Sequence, residues 1–171
     1  MAEVCVRPVD PTTPAVAELL AALDAYQTAL YPPASAHLLP AAALAAPGAT
    51  FLGAFVAGQM VGCGGYVGHA GGYGELKRMF VRPAARGLGI GRRLLAALEA
   101  HAAAAGLSVL RLETGVRQPE ALRLYERAGY TRRGPFGAYA PDPLSVFMEK
   151  RLNAEPATAP GPARRSAFPD V

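Results

Sequence analysis

The stretch RGLGIGRR, residues 86–93, holds three glycines and three arginines between a strand-like segment and a helix-like one. A strand, a glycine loop and a helix in that order present unpaired backbone N–H groups to an anion, and the helix start adds partial positive charge. Glycine lets the backbone approach a ligand closely, while arginine side chains supply full charges and forked donors. The stretch therefore predicts a phosphate-binding loop.

The spacing of the glycines excludes two common phosphate motifs. A P-loop, G-x-x-x-x-G-K-[ST], fails because Arg92 stands where the second glycine is required after Gly87. A dinucleotide fingerprint, G-x-G-x-x-G, meets Arg92 when begun at Gly87 and Leu94 when begun at Gly89. Glu113 nonetheless ends the next strand-like run, about where a ribose-binding acid would lie. A nucleotide- or dinucleotide-using enzyme therefore stays an alternative.

Strand-like and helix-like segments alternate around this loop and predict an α/β fold. Apolar residues at helical spacing mark three helices, which begin at Pro14, near Gly89 and at Pro119, with Thr13 placed to cap the first. Strand-like runs cover residues 3–9, 50–56, 59–68, 75–81 and 108–114. Two further strands are expected around a Gly/Pro-rich loop within residues 130–152.

Composition and charge indicate one domain of ordinary size. The 171 residues carry a net charge of +4, and a Pro/Ala-rich tail at 153–171, expected to be loosely ordered, follows a domain of 1–152. Residues 26–73 lack Asp, Glu, Lys and Arg, but prolines interrupt every apolar run, so no membrane span is expected. The first residues lack the basic start and apolar core that are typical of a signal peptide. Cys5 and Cys63 are expected to be reduced and buried. The chain is therefore predicted to be cytoplasmic.

The glycine loop and its neighbours resemble a known family. Arg86-Gly87-Leu88-Gly89-Ile90-Gly91 matches the Q/R-x-x-G-x-G/A signature of the GNAT superfamily of acetyl-CoA-dependent N-acetyltransferases. Residues 75–95, ELKRMFVRPAARGLGIGRRLL, resemble the fourth strand and third helix of that fold, and EALRLYERAGY resembles the helix that carries its tyrosine. The resemblance implies a central, mixed, mostly antiparallel sheet of about seven strands, flanked by about four helices, with a splayed parallel pair at its centre.

The resemblance also implies that acetyl-CoA is the co-substrate. Backbone N–H groups of the glycine loop would hold the pyrophosphate of coenzyme A, and the 79–81 backbone would pair with the pantetheine arm like an extra strand. Gln118 stands where relatives often carry an asparagine that contacts the coenzyme, and it is one methylene longer. The residues expected at the coenzyme are Met79, Phe80, Val81, Arg86, Gly87, Leu88, Gly89, Ile90, Gly91, Arg92 and Gln118.

Acetyl transfer to an amine needs a proton acceptor, a donor to the thioester oxygen and a proton for the departing thiolate. By resemblance Tyr125, within LYERAGY, is the general acid, although its place on an apolar stripe also suits a core residue. Glu75 stands where many relatives carry a glutamate base, and it could instead be a solvated residue or pair with Lys77 or Arg78. A backbone N–H near 79–80 would face the thioester oxygen. The attack is expected to be direct, in a ternary complex.

The acceptor site of the family is built from the loop after the first helix and from the last two strands. This resemblance points to Tyr31, His37, Tyr139 and Asp142, where the carboxylate could hold an ammonium group and the rings could flank an apolar portion. The expected acceptor is a small-molecule primary amine rather than a protein lysine, and a second copy of the chain is a further candidate partner. The third interpretation, after the acetyltransferase and the nucleotide-using enzyme, is a coenzyme A-binding module without catalysis. The presence of Tyr125 beside an intact glycine loop argues against it.

Two classes of ligand are not expected. The histidines at 37, 69 and 101 are far apart, and no Cys, His and carboxylate cluster has the spacing of a metal site. No basic stripe is interleaved with aromatic residues that could stack on bases. The sequence therefore predicts neither a bound metal nor a nucleic-acid partner.

Overall fold

A computed structural model describes residues 2–35 and 38–152. Its strands are β1 (Val4–Pro8), β2 (Ala49–Val56), β3 (Gln59–His69), β4 (Tyr73–Val81), β5 (Val109–Gly115), β6 (Thr131–Arg133) and β7 (Ser145–Arg151). Its helices are α1 (Pro14–Leu30), α2 (Ala41–Leu44), α3 (Ile90–Ala104) and α4 (Pro119–Arg127), with short 3₁₀ turns at Pro33–Ser35 and Pro83–Ala85. The tail at 153–171 lies outside the described residues.

The seven strands form one sheet in the order β1-β2-β3-β4-β5-β7-β6. Neighbours pair antiparallel except β4 and β5, which are parallel and lie near the middle of the sheet. The predicted fold is confirmed: in the described residues, a mixed, mostly antiparallel sheet of seven strands with one central parallel pair is flanked by four helices. The β2–β3 hairpin turns at Ala57 and Gly58, both with positive φ, as a two-residue turn between twisted strands requires.

Two apolar clusters cover the two faces of the sheet. Helix α3 places Ile90, Leu94 and Leu98 on one stripe at intervals of four residues, and all three are buried where the helix packs on strands β1 to β4. On the other face, α1 buries Leu19 and Leu23 in a cluster that also contains β2 and β3 residues. Each such leucine contributes on the order of 1.5–3 kcal/mol by leaving water. Strand β4 contributes residues to both clusters, and the site described below lies at the end of this strand.

Two local predictions are confirmed only in part. Thr13 is the N-cap residue of α1, but its hydroxyl donates to the carbonyl of Asp10 at 3.0 Å and makes no capping bond. Cys5 is exposed because it points to the face of β1 opposite its neighbours Val4 and Val6, which pack on the core, whereas Cys63 is buried and burial raises the pKa of its thiol to about 12. Within the described residues, no helix has the length and apolar character needed to cross a bilayer.

Candidate active site

The parallel strands β4 and β5 separate and open a cleft. Their ladder ends at the pair Glu75–Arg111, and beyond it β4 continues to Val81 and β5 to Gly115 without a shared pair. Backbone N–H and C=O groups on this side of β4 are therefore open to a ligand that lies along the strand.

A β-bulge in β4 decides which side chains reach each face. Between the pairs that Lys77 and Phe80 form with β3, two residues of β4, Arg78 and Met79, oppose one residue of β3. Arg78 has a φ of 60°, which is uncommon outside glycine. Leu76 and Met79 consequently pack in the same core cluster, although an unbroken strand would send residues three apart to opposite faces. The bulge thus removes Met79 from the face that Lys77 occupies.

A groove of about 660 Å³ runs from this cleft to the glycine loop, between the end of β4 and α4. Gly89, with a φ of 74°, is the N-cap of α3 and offers no capping side chain, so the first N–H groups of the helix are left for a ligand. The side chain of Leu88 is 58% exposed and does not line the groove. The predicted coenzyme residues that line it are Met79, Phe80, Val81, Arg86, Gly87, Gly89, Ile90, Gly91, Arg92 and Gln118.

Arg86 is held against the wall of the groove. Its Nε donates to the carbonyl of Val81 at 3.1 Å, and its Nη1 lies 3.4 Å from Oε2 of Glu120. The guanidinium also lies 5.5 Å from the ring centroid of Tyr26 and 5.9 Å from that of Phe80, within the range of a cation–π contact. Arg86 therefore joins the glycine loop to β4, α1 and α4.

A second, smaller cavity of about 80 Å³ lies on the other side of the cleft, where α1 and the loops meet the carboxyl ends of the parallel strands. Tyr125 lines both spaces, as do Met79, Gln118 and Ala121. Burial raises the pKa of Tyr125 well above its usual value, and the nearby Glu113 carboxylate adds to the effect. The hydroxyl of Tyr125 is therefore protonated at neutral pH and can donate a proton where the two spaces join.

Glu75 lies in a cluster beside the small cavity. Its side chain is buried, with Oε1 3.1 Å from Nε2 of His69 and Oε2 accepting a 2.6 Å hydrogen bond from the Tyr139 hydroxyl. Nζ of Lys77 lies 3.2 Å from Oε2 of Glu75 and donates to the Tyr139 oxygen at 2.6 Å. Burial raises the pKa of Tyr139, and its bond to Glu75 raises it further. Lys77 lines the cavity, so it connects that space to Glu75.

Tyr31 both lines the cavity and holds the turn that precedes α4. Its hydroxyl donates to Oε1 of Gln118 at 3.3 Å and accepts a hydrogen bond from the N–H of Arg117 at 3.1 Å. The ring lies so close to the end of β5 that a Cβ added at Gly115 would stand 1.8 Å from the tyrosine oxygen. Only glycine fits at this position, and the contact orients Gln118 at the N-cap of α4.

Asp142 and Tyr139, two further predicted acceptor residues, contact residues that line the cavity. Asp142 accepts a 2.6 Å hydrogen bond from the Ser35 hydroxyl and a 2.8 Å bond from the N–H of Leu144, and both of these partners line the cavity. Tyr139 contacts the cavity-lining Lys77. His37 lies outside the described residues. Of the three predicted acceptor residues that the structure describes, Tyr31 is thus the one that lines the cavity directly.

Three charged residues that were not predicted to contact the acceptor line the small cavity. Lys77 and Arg78 come from β4, and Arg78 pairs with Asp24 and donates from Nε to the carbonyl of Leu39 at 3.1 Å. Glu113 comes from the end of β5. The position of Glu113 at the carboxyl end of a strand could have pointed to it in the sequence. The bulge that places both Lys77 and Arg78 at the cavity could not be recognised from the local sequence.

Across residues 2–35 and 38–152, no three His, Cys, Asp or Glu side chains are grouped to hold a metal ion.

Comparison with known proteins assigns this site to a family. Residues 16–130 match the model of the acetyltransferase (GNAT) family. The chain belongs to the GNAT family of acetyltransferases. It is accordingly an acyltransferase that uses acetyl-CoA, which confirms the predicted cofactor and enzyme class and decides against the dinucleotide and non-catalytic alternatives.

Individual relatives agree with the family. The chain is 52% identical over 153 residues to the IAA acetyltransferase of Azospirillum brasilense, covering 89% of this chain and all of the relative. It is 40% identical over 62 residues to the aminoalkylphosphonate N-acetyltransferase of Salmonella typhimurium, covering 36% of this chain and 40% of the relative. A solved structure assigned as an acyl-CoA N-acyltransferase from Klebsiella pneumoniae is 42% identical, with a TM-score of 0.77 over 90% of this chain and all of that one.

Proposed function

We propose that the acetyltransferase moves the acetyl group of acetyl-CoA to the primary amine of a small molecule, by direct attack in a ternary complex. The observation that carries this proposal is the junction at Tyr125, where a long groove and a small cavity meet. Two substrates approaching from opposite sides would place their reacting groups there. The small size of the second cavity and the name of the aminoalkylphosphonate enzyme both favour a small acceptor.

The groove is the proposed coenzyme site. The uncapped N–H groups at the start of α3, together with Arg92, would hold the pyrophosphate. The 79–81 backbone, which does not pair with β5, would pair with the pantetheine arm. Gln118 at the N-cap of α4 lines the groove and the cavity and would contact the coenzyme near the junction. These features fit a long, phosphate-bearing ligand.

Tyr125 is the proposed general acid. Its raised pKa keeps the hydroxyl protonated, and its position at the junction lets it deliver that proton to the sulfur as the carbon–sulfur bond breaks. A backbone N–H at 79–80, next to the bulge, is the proposed donor to the thioester oxygen, because a bulge leaves a residue outside the ladder.

Glu75 is the proposed acceptor of the proton that the amine loses. It does not line the cavity itself, but it contacts Lys77, which does. On its other side it contacts His69, whose side chain is 38% exposed and offers a route to solvent. The chain of contacts from Lys77 through Glu75 to His69 therefore links the acceptor cavity to bulk water.

Steady-state kinetics tests this proposal. Free thiol is measured with acetyl-CoA and a panel of small primary amines, and both substrates are varied to give the initial-velocity pattern. We expect intersecting lines, and a kcat about 100-fold lower for Tyr125→Phe with the KM for acetyl-CoA changed little, because a general acid contributes about 10²–10⁴-fold to the rate.

Tyr130→Phe is the matched control. Tyr130 is also buried, and its ring meets that of Tyr125 edge-on at 5.7 Å, but it lines neither the groove nor the cavity. Its variant should keep a kcat close to that of the parent. Parallel lines would contradict the ternary complex, and equal losses in kcat and coenzyme affinity for Tyr125→Phe would contradict its role as acid.

A further inference from the structure

The groove holds more positive charge than its glycine loop needs. Four arginines and one glutamate line it, namely Arg86, Arg92, Arg123, Arg127 and Glu120. Arg86 is the arginine that pairs with the glutamate. Among the described residues, no carboxylate oxygen lies within 4.0 Å of a side-chain nitrogen of Arg92, Arg123 or Arg127. The formal surplus of three positive charges faces a single ligand space.

Two of these arginines form a pair on α4. Arg123 and Arg127 are exposed and four residues apart, so their side chains are neighbours on one face of the helix. Like charges at this spacing destabilise a helix. The adjacent Glu126 does not neutralise them, because it pairs with Arg132 at 3.5 Å. The pair therefore lowers the stability of the protein without a ligand, and binding of an anion would remove this loss.

The position of the pair separates it from the reacting end of the groove. At about 100° per residue, Arg123 and Arg127 lie about 40° apart around α4 and about 160° from Tyr125. Leu124 lies between them in sequence and packs 3.3 Å from a Cβ placed on Gly91, in the first turn of α3. The two arginines accordingly stand beside the phosphate-binding loop and away from the junction with the acceptor cavity.

We propose that Arg123 and Arg127 form a second phosphate site, which binds the 3′-phosphate of the coenzyme. Coenzyme A carries a phosphate monoester on its ribose in addition to the pyrophosphate. The glycine loop and Arg92 suit the pyrophosphate, and two unpaired guanidinium groups suit a dianionic monoester through forked hydrogen bonds. The site makes the enzyme discriminate coenzyme A from its 3′-dephospho form. The proposal rests on the proposed coenzyme groove.

Calorimetric titration at low salt tests the site by binding alone. The full-length protein is titrated with acetyl-CoA and with acetyl-3′-dephospho-CoA, and inorganic phosphate serves as a separate competitor. We expect the parent to bind acetyl-CoA at least about tenfold more tightly than the dephospho form. The double variant Arg123→Gln/Arg127→Gln should bind both forms about equally, with its affinity for the dephospho form within about twofold of the parent.

Arg93→Gln is the control for charge. Arg93 lies on α3 beside the loop and donates to the carbonyl of Val4, but it does not line the groove. Its variant should retain the discrimination between the two coenzyme forms. The midpoint of thermal unfolding should not fall in the double variant, because the substitutions remove a like-charge pair.

Three results would overturn the assignment. Equal binding of both forms by the parent would show that no residue recognises the 3′-phosphate. A similar loss of affinity for both forms in the double variant would place the arginines on the pyrophosphate. A general anion site would be indicated if inorganic phosphate competed in the parent but not in the double variant, while the parent did not discriminate between the two coenzyme forms. Failure of the parent to bind either form would instead contradict the coenzyme groove and the proposed function with it.

Discussion

Glu113 and Glu75 differ in how they are placed at the proposed acceptor cavity. Glu113 lines the cavity from the end of β5. Glu75 is 6% exposed and contacts Lys77, Tyr139 and His69. We therefore propose a binding role for the first carboxylate and a proton-accepting role for the second.

The two glutamates can be distinguished by the same conservative substitution. Glu75→Gln removes the proton acceptor and keeps the shape, so we expect kcat to fall by about 100-fold with the KM for the amine changed little. Glu113→Gln should raise the KM for the amine and leave kcat close to that of the parent. Initial rates with saturating acetyl-CoA and a varied amine concentration check both variants. The reverse assignment would apply if Glu113→Gln lowered kcat and Glu75→Gln raised only the KM.

Strand β6 has three residues and depends on β7 for its place at the edge of the sheet. Glu149 of β7 connects three strands, with Oε2 3.2 Å from Nε of Arg111 in β5 and 2.6 Å from Nη1 of Arg133 in β6. Burial acts to raise the pKa of Glu149, but the two guanidinium groups more than offset it and hold the pKa below the usual value of 4.5. The carboxylate therefore stabilises this end of the sheet while it is charged.

Glu149→Gln should lower stability in a pH-dependent way. Because the pKa is lower in the folded state, the parent gains stability from this group above about pH 4.5 and loses it as the pH falls through the folded-state value. At pH 7 we expect a loss of about 1 kcal/mol or less, since these side chains are partly exposed. Urea unfolding at pH 7 and pH 3 measures it. A difference of equal size at both pH values would show that packing, and not charge, is responsible.

At the scale of the whole molecule, the proposed coenzyme groove exists only when distant segments have come together. Its walls come from α1, from β4 with the glycine loop that follows it, and from α4, which lies beyond α3 and β5 in the chain. The unfolded chain has no such groove, so a ligand that binds there shifts the folding equilibrium toward the native state.

Thermal unfolding should report this coupling. Acetyl-CoA at about 100 times its Kd should stabilise the fold by about 2.7 kcal/mol, which raises the midpoint by several degrees in a domain of this size. NADH and ATP, at the same concentration, serve as controls for ligands that share an adenine and a pyrophosphate linkage. A shift with either of them and none with acetyl-CoA would contradict the proposed groove.

Much of the architecture could be predicted because it depends on residues close together in the chain. The spacing of Ile90, Leu94 and Leu98 predicts α3, and the two residues between β2 and β3 predict their hairpin. The glycines of the loop and the surrounding pattern predict the family and its sheet, both of which are confirmed. Hydrophobic periodicity, turn-forming residues and a glycine loop each involve residues that are close together in the chain. They can therefore be recognised from the sequence alone.

Other features were decided by contacts between segments far apart. The bulge at Arg78 turns Met79 toward α3 and leaves Lys77 and Arg78 at the acceptor cavity. Tyr31 meets Gly115 across 84 positions of the chain, and Cys5 is exposed on the face of β1 opposite Val4 and Val6, which pack on the core. A strand's face, a side chain's partner and an edge position depend on which other strands and helices lie beside it. Those relations arise only when the chain has folded, which is why the tertiary structure determined the surroundings of the site.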